Sequence, residues 1–442
     1  VLITLSGQNF GAQTASISVG GAPCMLNSVA HSRIVCLAPP GVGANVVTRV
    51  TVNEQSVDDS SFSYLAPTIG SVLPVSPPTT GVVLTINGDN FGSTEQIVRV
   101  DGNPCTVNSW GQAQIICQAG ASVAGGTSTV QVVSGGQEAT STFTWAAPSI
   151  ATVMPSSMST RAGQPLTING LNFGSGSRTT VEVGGRPCLP SATSSSTQSS
   201  IVCIAPEGVS PGAAPVRVTV GSASATSSAF SYAAPTVTDI APMRGPTAGR
   251  VQLTISGDSF GTAPATVTVG GAPCPVSQPQ THGRLLCLLP PGQGASVPVV
   301  VTAGGLTSAS FAYGYEPPAV DSTWPPKLPT RQTPLWIRGV NFGSNPTVTV
   351  GGAPCPVLSS TDSEIACTAP AGTAGVTPLV VSVGGQSSVG ATVTRIATCG
   401  RELSNGATCE DPRECRGSGT CSGSDCVGAA ASNEGLACDD GD

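Results

Sequence analysis

In this 442-residue chain, the residue type whose spacing could do chemistry is cysteine, and the chemistry is oxidation to disulfides. Ten of the 16 cysteines fall in pairs: Cys24 and Cys36, Cys105 and Cys117, Cys188 and Cys203, Cys274 and Cys287, Cys355 and Cys367, with separations of 12, 12, 15, 13 and 12 residues. A pair at nearly constant separation, with no His or third Cys beside it, is the signal of a disulfide and not of a zinc site. The remaining six, Cys399, Cys409, Cys415, Cys421, Cys426 and Cys438, crowd together among Gly, Ser and Asp. So short a segment cannot surround a hydrophobic core, so these six are expected to pair among themselves, with every connectivity open. All 16 cysteines thus find structural partners, which points to an oxidising compartment.

No catalytic constellation accompanies them. The two histidines, His31 and His282, each lie in the variable loop between paired cysteines, where a general base would have to recur with geometry. Asp89 and Asp258 sit in Gly-Asp-Asn and Gly-Asp-Ser turns and read as turn formers. Gly184-Gly185 runs into Pro-Cys and not into a helix, which removes a phosphate cradle. No cofactor is called for. The acidic run Asp439-Asp440-Gly441-Asp442 has the composition of a calcium loop but lacks a downstream Glu, so it reads as a solvated turn with calcium as the alternative.

The elements that must position the cysteines come in a repeat. Leu166-Thr167-Ile168-Asn169-Gly170-Leu171-Asn172-Phe173-Gly174 precedes Val181-Glu182-Val183-Gly184-Gly185-Arg186-Pro187-Cys188 and Ile201-Val202-Cys203, and the pattern recurs with its Phe at Phe10, Phe91, Phe173, Phe260 and Phe342. Leu-Thr-Ile and Val-x-Val alternate as half-buried strands do. Asn-Gly and Asn-Phe-Gly supply residues that accept positive φ, so the chain turns sharply with the Phe driven inward. A fixed period of this length means tandem modules.

The run Pro-x-Ile, Leu-Thr-Ile-x-Gly-x-Asn-Phe-Gly, Val-x-Val-Gly-Gly-x-Pro-Cys, Ile-x-Cys and Phe-x-Tyr resembles the IPT/TIG domain, an immunoglobulin-like β-sandwich found in plexins, hepatocyte-growth-factor-type receptors, fibrocystin-like surface proteins and some transcription factors. Copies depart at Gly120, where the others place Pro, at Ser259, which replaces Asn, and in the fifth copy, which lacks the closing Phe-x-Tyr seen at Phe62/Tyr64, Phe230/Tyr232 and Phe311/Tyr313. The resemblance implies an all-β chain: five immunoglobulin-like sandwiches in tandem at residues 1–66 (without its opening strand), 67–147, 148–234, 235–317 and 318–397. A small disulfide-rich module that loosely resembles an EGF-like domain follows at 398–442. Similar arrays occur in surface proteins of algae and protists, including the mastigonemes of cilia.

Composition narrows the partners. Charged residues make up 9% of the chain against a typical quarter, the net charge is −7, Lys327 is the single lysine, and the arginines are scattered. Phosphate neutralisation needs clustered Arg and Lys, so nucleic acid is not expected. A charge-poor surface stays dispersed through glycans or packs into an assembly. No Asn-linked site exists, which leaves O-glycosylation candidates at Ser76, Thr79, Thr80, Ser194, Ser195, Ser196 and Thr197, with ordinary polar loops as the alternative. There is no initiator Met, no signal peptide and no apolar run near membrane-spanning length, so the chain reads as a fragment. Pro-containing joints of two to four residues link the modules, which predicts a semi-rigid rod of roughly 150 to 200 Å. At the fourth joint, Trp324 is expected to cover the seam between modules, with an exposed bend or a partner contact as the alternative.

The leading expectation is an extracellular or cell-surface structural protein, assembling by self-association or with other extracellular proteins or glycans into a filament or coat. The alternatives are an adhesion or receptor ectodomain stalk and a non-catalytic binding or spacer portion of a secreted enzyme.

Overall fold

The computed structural model describes residues 1–12, 15–94, 96–122, 125–161, 163–174, 179–189 and 197–396, with three further short strands, Thr408–Cys409, Gly419–Ser422 and Asp425–Val427. Among the described residues there are strands and turns and no helix. They form two compact units. One holds Val1–Met158, Ala162–Pro206 and Ala213–Ser231; the other holds Ser159–Arg161, Glu207–Gly212 and Tyr232–Asp442.

The second module shows the plan. Strands Thr106–Trp110, Gln114–Ala119, Val82–Asp89 and Thr68–Leu73 form one antiparallel sheet in that order. Asn103–Pro104, Ile97–Val100, Thr127–Ser134 and Gln137–Thr144 form the other. Period-2 alternation places Leu84, Ile86 and Ile115 from the first sheet against Val98, Val130 and Val132 from the second, all buried. Full burial of each such side chain is worth about 1.5–3 kcal/mol, so the alternating triplets supply the cohesion of a small core.

The Phe-Gly motif anchors the core through space as much as through dihedral angle. Asn90, Asn172 and Asn341 have φ of 62°, 61° and 61°, and Ser259 takes the same conformation at 60°. The first glycine of the motif is needed for a different reason than expected. Gly88 has no positive φ, but a Cβ there would lie 1.9 Å from the Thr68 carbonyl oxygen and 2.6 Å from the Phe91 ring. The same clash would arise at Gly170, Gly257 and Gly339, so the Phe ring folds back over the glycine that precedes it by three residues.

Cys105 lies where the chain crosses from the second sheet to the first, and it is bonded to Cys117 in the first sheet. The bonds Cys24–Cys36, Cys188–Cys203, Cys274–Cys287 and Cys355–Cys367 repeat the arrangement, with Cα separations of 5.5 to 5.6 Å. Closing loops of this length contributes about 3 kcal/mol per module in the chain-entropy description.

The closing strand carries a further anchor. Tyr64 and Tyr315 donate to the carbonyls of Pro39 and Pro290 at 2.8 and 2.9 Å, their rings lying over Gly41 and Gly292. In the fifth module this place belongs to Arg395, 3% exposed, which donates to the carbonyls of Pro329 (3.1 Å) and Pro370 (2.7 Å) above Gly372. Burial lowers its pKa from the usual guanidinium value. In the fourth module the closing pair is thus Tyr313/Tyr315 and not Phe311/Tyr313, and in the fifth a planar cation takes the place of Tyr64 and Tyr315, donating to the corresponding Pro370 carbonyl and to Pro329 besides.

Candidate functional site: the module junctions

The side chains with the most specific polar geometry lie where one module meets the next. In the first unit, Thr79 stands just before the Leu-Thr-Ile strand of the second module and is fully buried. Its hydroxyl donates to Gln198 of the third module, and its amide donates to Asn172 Oδ1 at 3.3 Å. Gln198 Nε2 returns a bond to the Thr79 carbonyl at 3.0 Å. Gln198 is held in place by the Phe turn, because its carbonyl accepts the Phe173 amide at 3.1 Å. Asn172 also donates from Nδ2 to the Ala147 carbonyl at 3.1 Å, in the joint itself. The motif that anchors the core therefore also presents Asn and Gln to the preceding module.

The second unit repeats this contact with other chemistry. At the junction of the fourth and fifth modules, Thr247 donates its hydroxyl to Asp362 and its amide to Asn341 Oδ1 at 3.2 Å. Asp362 accepts the Gly343 amide as well, at 3.0 Å, and its carbonyl accepts the Phe342 amide. At the junction of the third and fourth modules, Thr160 meets His282 Nδ1 at 2.9 Å, and the other ring nitrogen lies 3.7 Å from the Glu207 carboxylate. Here Ser259 is too short to reach across. Instead Asp258 accepts from Ser159 Oγ at 2.9 Å and Arg161 Nε at 2.8 Å. Burial acts to raise the Asp258 pKa, but the hydrogen bonds from Arg161 and Ser159 outweigh it and hold the carboxyl below the ordinary range.

A backbone contact is made at the first, third and fourth junctions. The hairpin turn of the following module presses on a loop of the preceding one: a Cβ on Gly135 would lie 2.5 Å from the Gly43 amide, on Gly304 2.3 Å from the Pro211 carbonyl, and on Gly384 2.8 Å from the Gly294 amide. Gln137 and Gln386, one residue past these turns, donate to the Tyr64 and Tyr315 carbonyls at 3.3 and 3.1 Å.

The IPT/TIG domain model matches residues 1–64, 67–145, 148–233, 235–315 and 318–395. The chain belongs to the IPT/TIG family. It is 25% identical to mouse Fibrocystin-L over 300 residues, which covers 65% of this chain and 7% of that protein. It is 34% identical to human Plexin-B3 over 188 residues, covering 39% of this chain and 10% of that protein. The chain thus spans a tenth or less of the length of these relatives. The full extracellular region of plexin A4 aligns with 88% of this chain and 42% of its own length at 16% identity, with a TM-score of 0.22.

Within the five IPT/TIG modules, the residues singled out from sequence have different fates. His31 is exposed, whereas His282 joins a junction. Thr79 was a candidate for O-glycosylation; full burial of its side chain, with the hydroxyl committed to Gln198, leaves no room for a sugar there. Ser76, Thr80 and Thr197 are exposed. Ser194, Ser195 and Ser196 lie outside the described residues, as do Cys399, Cys415, Cys438 and the acidic run with its calcium alternative; of Cys409, Cys421 and Cys426 only the strand backbone is described. Among the described residues no group of three His, Cys, Asp or Glu side chains is placed to hold a metal ion. Trp324 does not cover the seam. It stands 65% exposed, beside Trp336 on the first sheet of the fifth module.

Sequence reasoning missed the junction role of Thr79, which it had read as an O-glycosylation candidate, the junction threonines Thr160 and Thr247, and the closing Arg395. A signal for the threonines existed: each precedes the leucine of its apolar triplet by five or six residues, as in Thr79 and Leu84, Thr160 and Leu166, and Thr247 and Leu253.

Proposed function

We infer that this chain is a spacer segment in the extracellular part of an adhesion or receptor-type protein, in which successive IPT/TIG modules hold a set orientation. The observation that carries the reading is the recurrence of one junction contact, a buried Thr against Gln198, His282 or Asp362, within each compact unit. Contacts made by backbone and buried side chains at joints of a few residues resist bending far better than flexible linkers would. Five disulfides and the likeness to plexin and fibrocystin-L ectodomain repeats support an extracellular or cell-surface location. The same relatives favour the receptor or adhesion reading over a filament or coat, for which the charge-poor surface remains the supporting feature.

Small-angle scattering of the unreduced chain tests this. A single narrow distribution of dimensions is expected, broadening when Thr79, Thr160 and Thr247 are all replaced by Val. A distribution already broad in the unaltered chain would remove the spacer reading. Regular filaments of the native protein under the electron microscope would restore the assembly reading.

A further inference from the structure

The fifth module carries a surface that its sister modules lack. Trp324 and Trp336 lie directly opposite each other on neighbouring strands, with ring centroids 5.2 Å apart and planes inclined at 61°. At the same register the second, third and fourth modules pair Leu73 with Thr85, Met154 with Thr167 and Ala241 with Thr254. Trp324 is 65% and Trp336 37% exposed, so neither indole belongs to the core. They border an open cleft of about 510 Å³, completed by Ser322, Thr323, Arg338 and Glu364. Arg338 Nε donates to Glu364 at 3.1 Å, across the neighbouring register pair.

We propose that this cleft binds a neutral oligosaccharide. A pyranose ring has an apolar C–H face that an indole covers and a girdle of hydroxyls that both donate and accept. The cleft offers those two features side by side: two indoles, a guanidinium donor, a carboxylate acceptor and the Ser322 hydroxyl, able to do either, whereas the Thr323 side chain shares the core-facing side with its register partner Ile337. Arg338 and Glu364 neutralise each other, so no net charge selects a sulfated or sialylated chain. A proline-rich peptide would also stack on tryptophan, but prolyl residues donate no hydrogen bonds, so the Glu364 oxygens would lose water without replacement. The site lies on an exposed sheet face and does not depend on the spacer role of the junctions.

The test is affinity electrophoresis of the full chain through gels containing hydroxyethylcellulose, galactomannan or heparin, with titration of a proline decamer alongside. The expected result is retardation by at least one neutral polysaccharide and not by heparin. Trp324→Ala or Trp336→Ala should weaken that retardation at least about tenfold, the loss of one buried aromatic contact. Trp324→Tyr, which keeps an aromatic face, should restore part of it. Because neither indole belongs to the core, each variant should lower the unfolding temperature only slightly, by the lost ring contact, and unfold as cooperatively as the unaltered chain, which separates lost binding from lost fold. No retardation by either neutral polymer, binding only to heparin or the decamer, or retardation that survives both alanine replacements would overturn the proposal.

Discussion

The junction between the third and fourth modules and that between the fourth and fifth share one backbone arrangement and differ in nearly every side chain. At the later junction an Asn, an Asp and a Thr form a compact network; at the earlier one Ser259 takes the Asn position, and Asp258, Arg161, Ser159 and His282 do the work instead. In both, the Phe turn fixes the backbone and a buried Thr supplies the donor or acceptor. The comparison teaches that the slot is set by the turn, while its occupants need only pair a donor with an acceptor across it. A buried polar group must be satisfied, but not by any one residue type.

The most disruptive way to probe this is in the hairpin that presses on the preceding module. Gly304 and Gly305 both have positive φ, at 55° and 80°, so Ala at either costs about 1 kcal/mol of backbone strain. A Cβ at Gly304 also meets the Pro211 carbonyl, whereas one at Gly305 meets nothing within 4 Å. Thermal unfolding should therefore show Gly304→Ala costing about 3 kcal/mol and Gly305→Ala about 1. Equal losses would mean that the close approach between modules contributes nothing.

Removing the junction hydroxyls comes next. Thr247→Val strips a donor from the Asp362 carboxylate and should cost about 2 kcal/mol, against about 1 for Thr79→Val, where the neutral Gln198 keeps its own two donated bonds. Denaturant unfolding of both variants would rank them, and a reversed order would show that charge at the junction does not matter.

The closing strands of the fourth and fifth modules differ in how they meet alkali. Burial, with help from Tyr315 and Glu316, pushes the Tyr313 phenol up to about 12, so the folded state keeps its proton where the unfolded state loses it. Stability contributed this way is complete below the ordinary tyrosine value of about 10 and declines by about 1.4 kcal/mol per pH unit as pH rises towards 12. Tyr313→Phe should flatten that limb. At neutral pH the variant should unfold no lower, because among the described residues the buried Tyr313 hydroxyl has no hydrogen-bond partner. Burial shifts the Arg395 guanidinium in the fifth module the other way, downward, so it adds no such declining limb.

The smallest effect concerns acid. Asp258 is held below the ordinary carboxyl range, so its contribution is present above about pH 3.9 and fades as pH falls through its folded value. Arg161→Ala should make the acid limb of unfolding shallower by a small amount, since the pair is more than a third exposed. An unchanged acid profile would mean that the ion pair is only a surface contact.

Much of this molecule could be read from its residues in order. Alternation in Leu-Thr-Ile and Val-x-Val, the spacing of the cysteines and the recurrence of Asn-Phe-Gly are local patterns whose physical causes act within a few residues, and they marked five tandem β modules with one cysteine pair each, while the sandwich fold was what the resemblance to the IPT/TIG domain implied. Local reasoning also left gaps. Thr79 looks like any loop threonine, and nothing near it in sequence announces Gln198, 119 residues away. Arg395 in the closing position reads as a break in the repeat until Pro329, Pro370 and Gly372 are found around it. Trp324 and Trp336 are two isolated aromatics until strand register sets them side by side. The sequence by itself determined the modules, because period and turn chemistry are written along the chain. Only the tertiary structure decided which polar groups are buried together and which aromatics remain outside, because that depends on contacts between residues far apart in the chain.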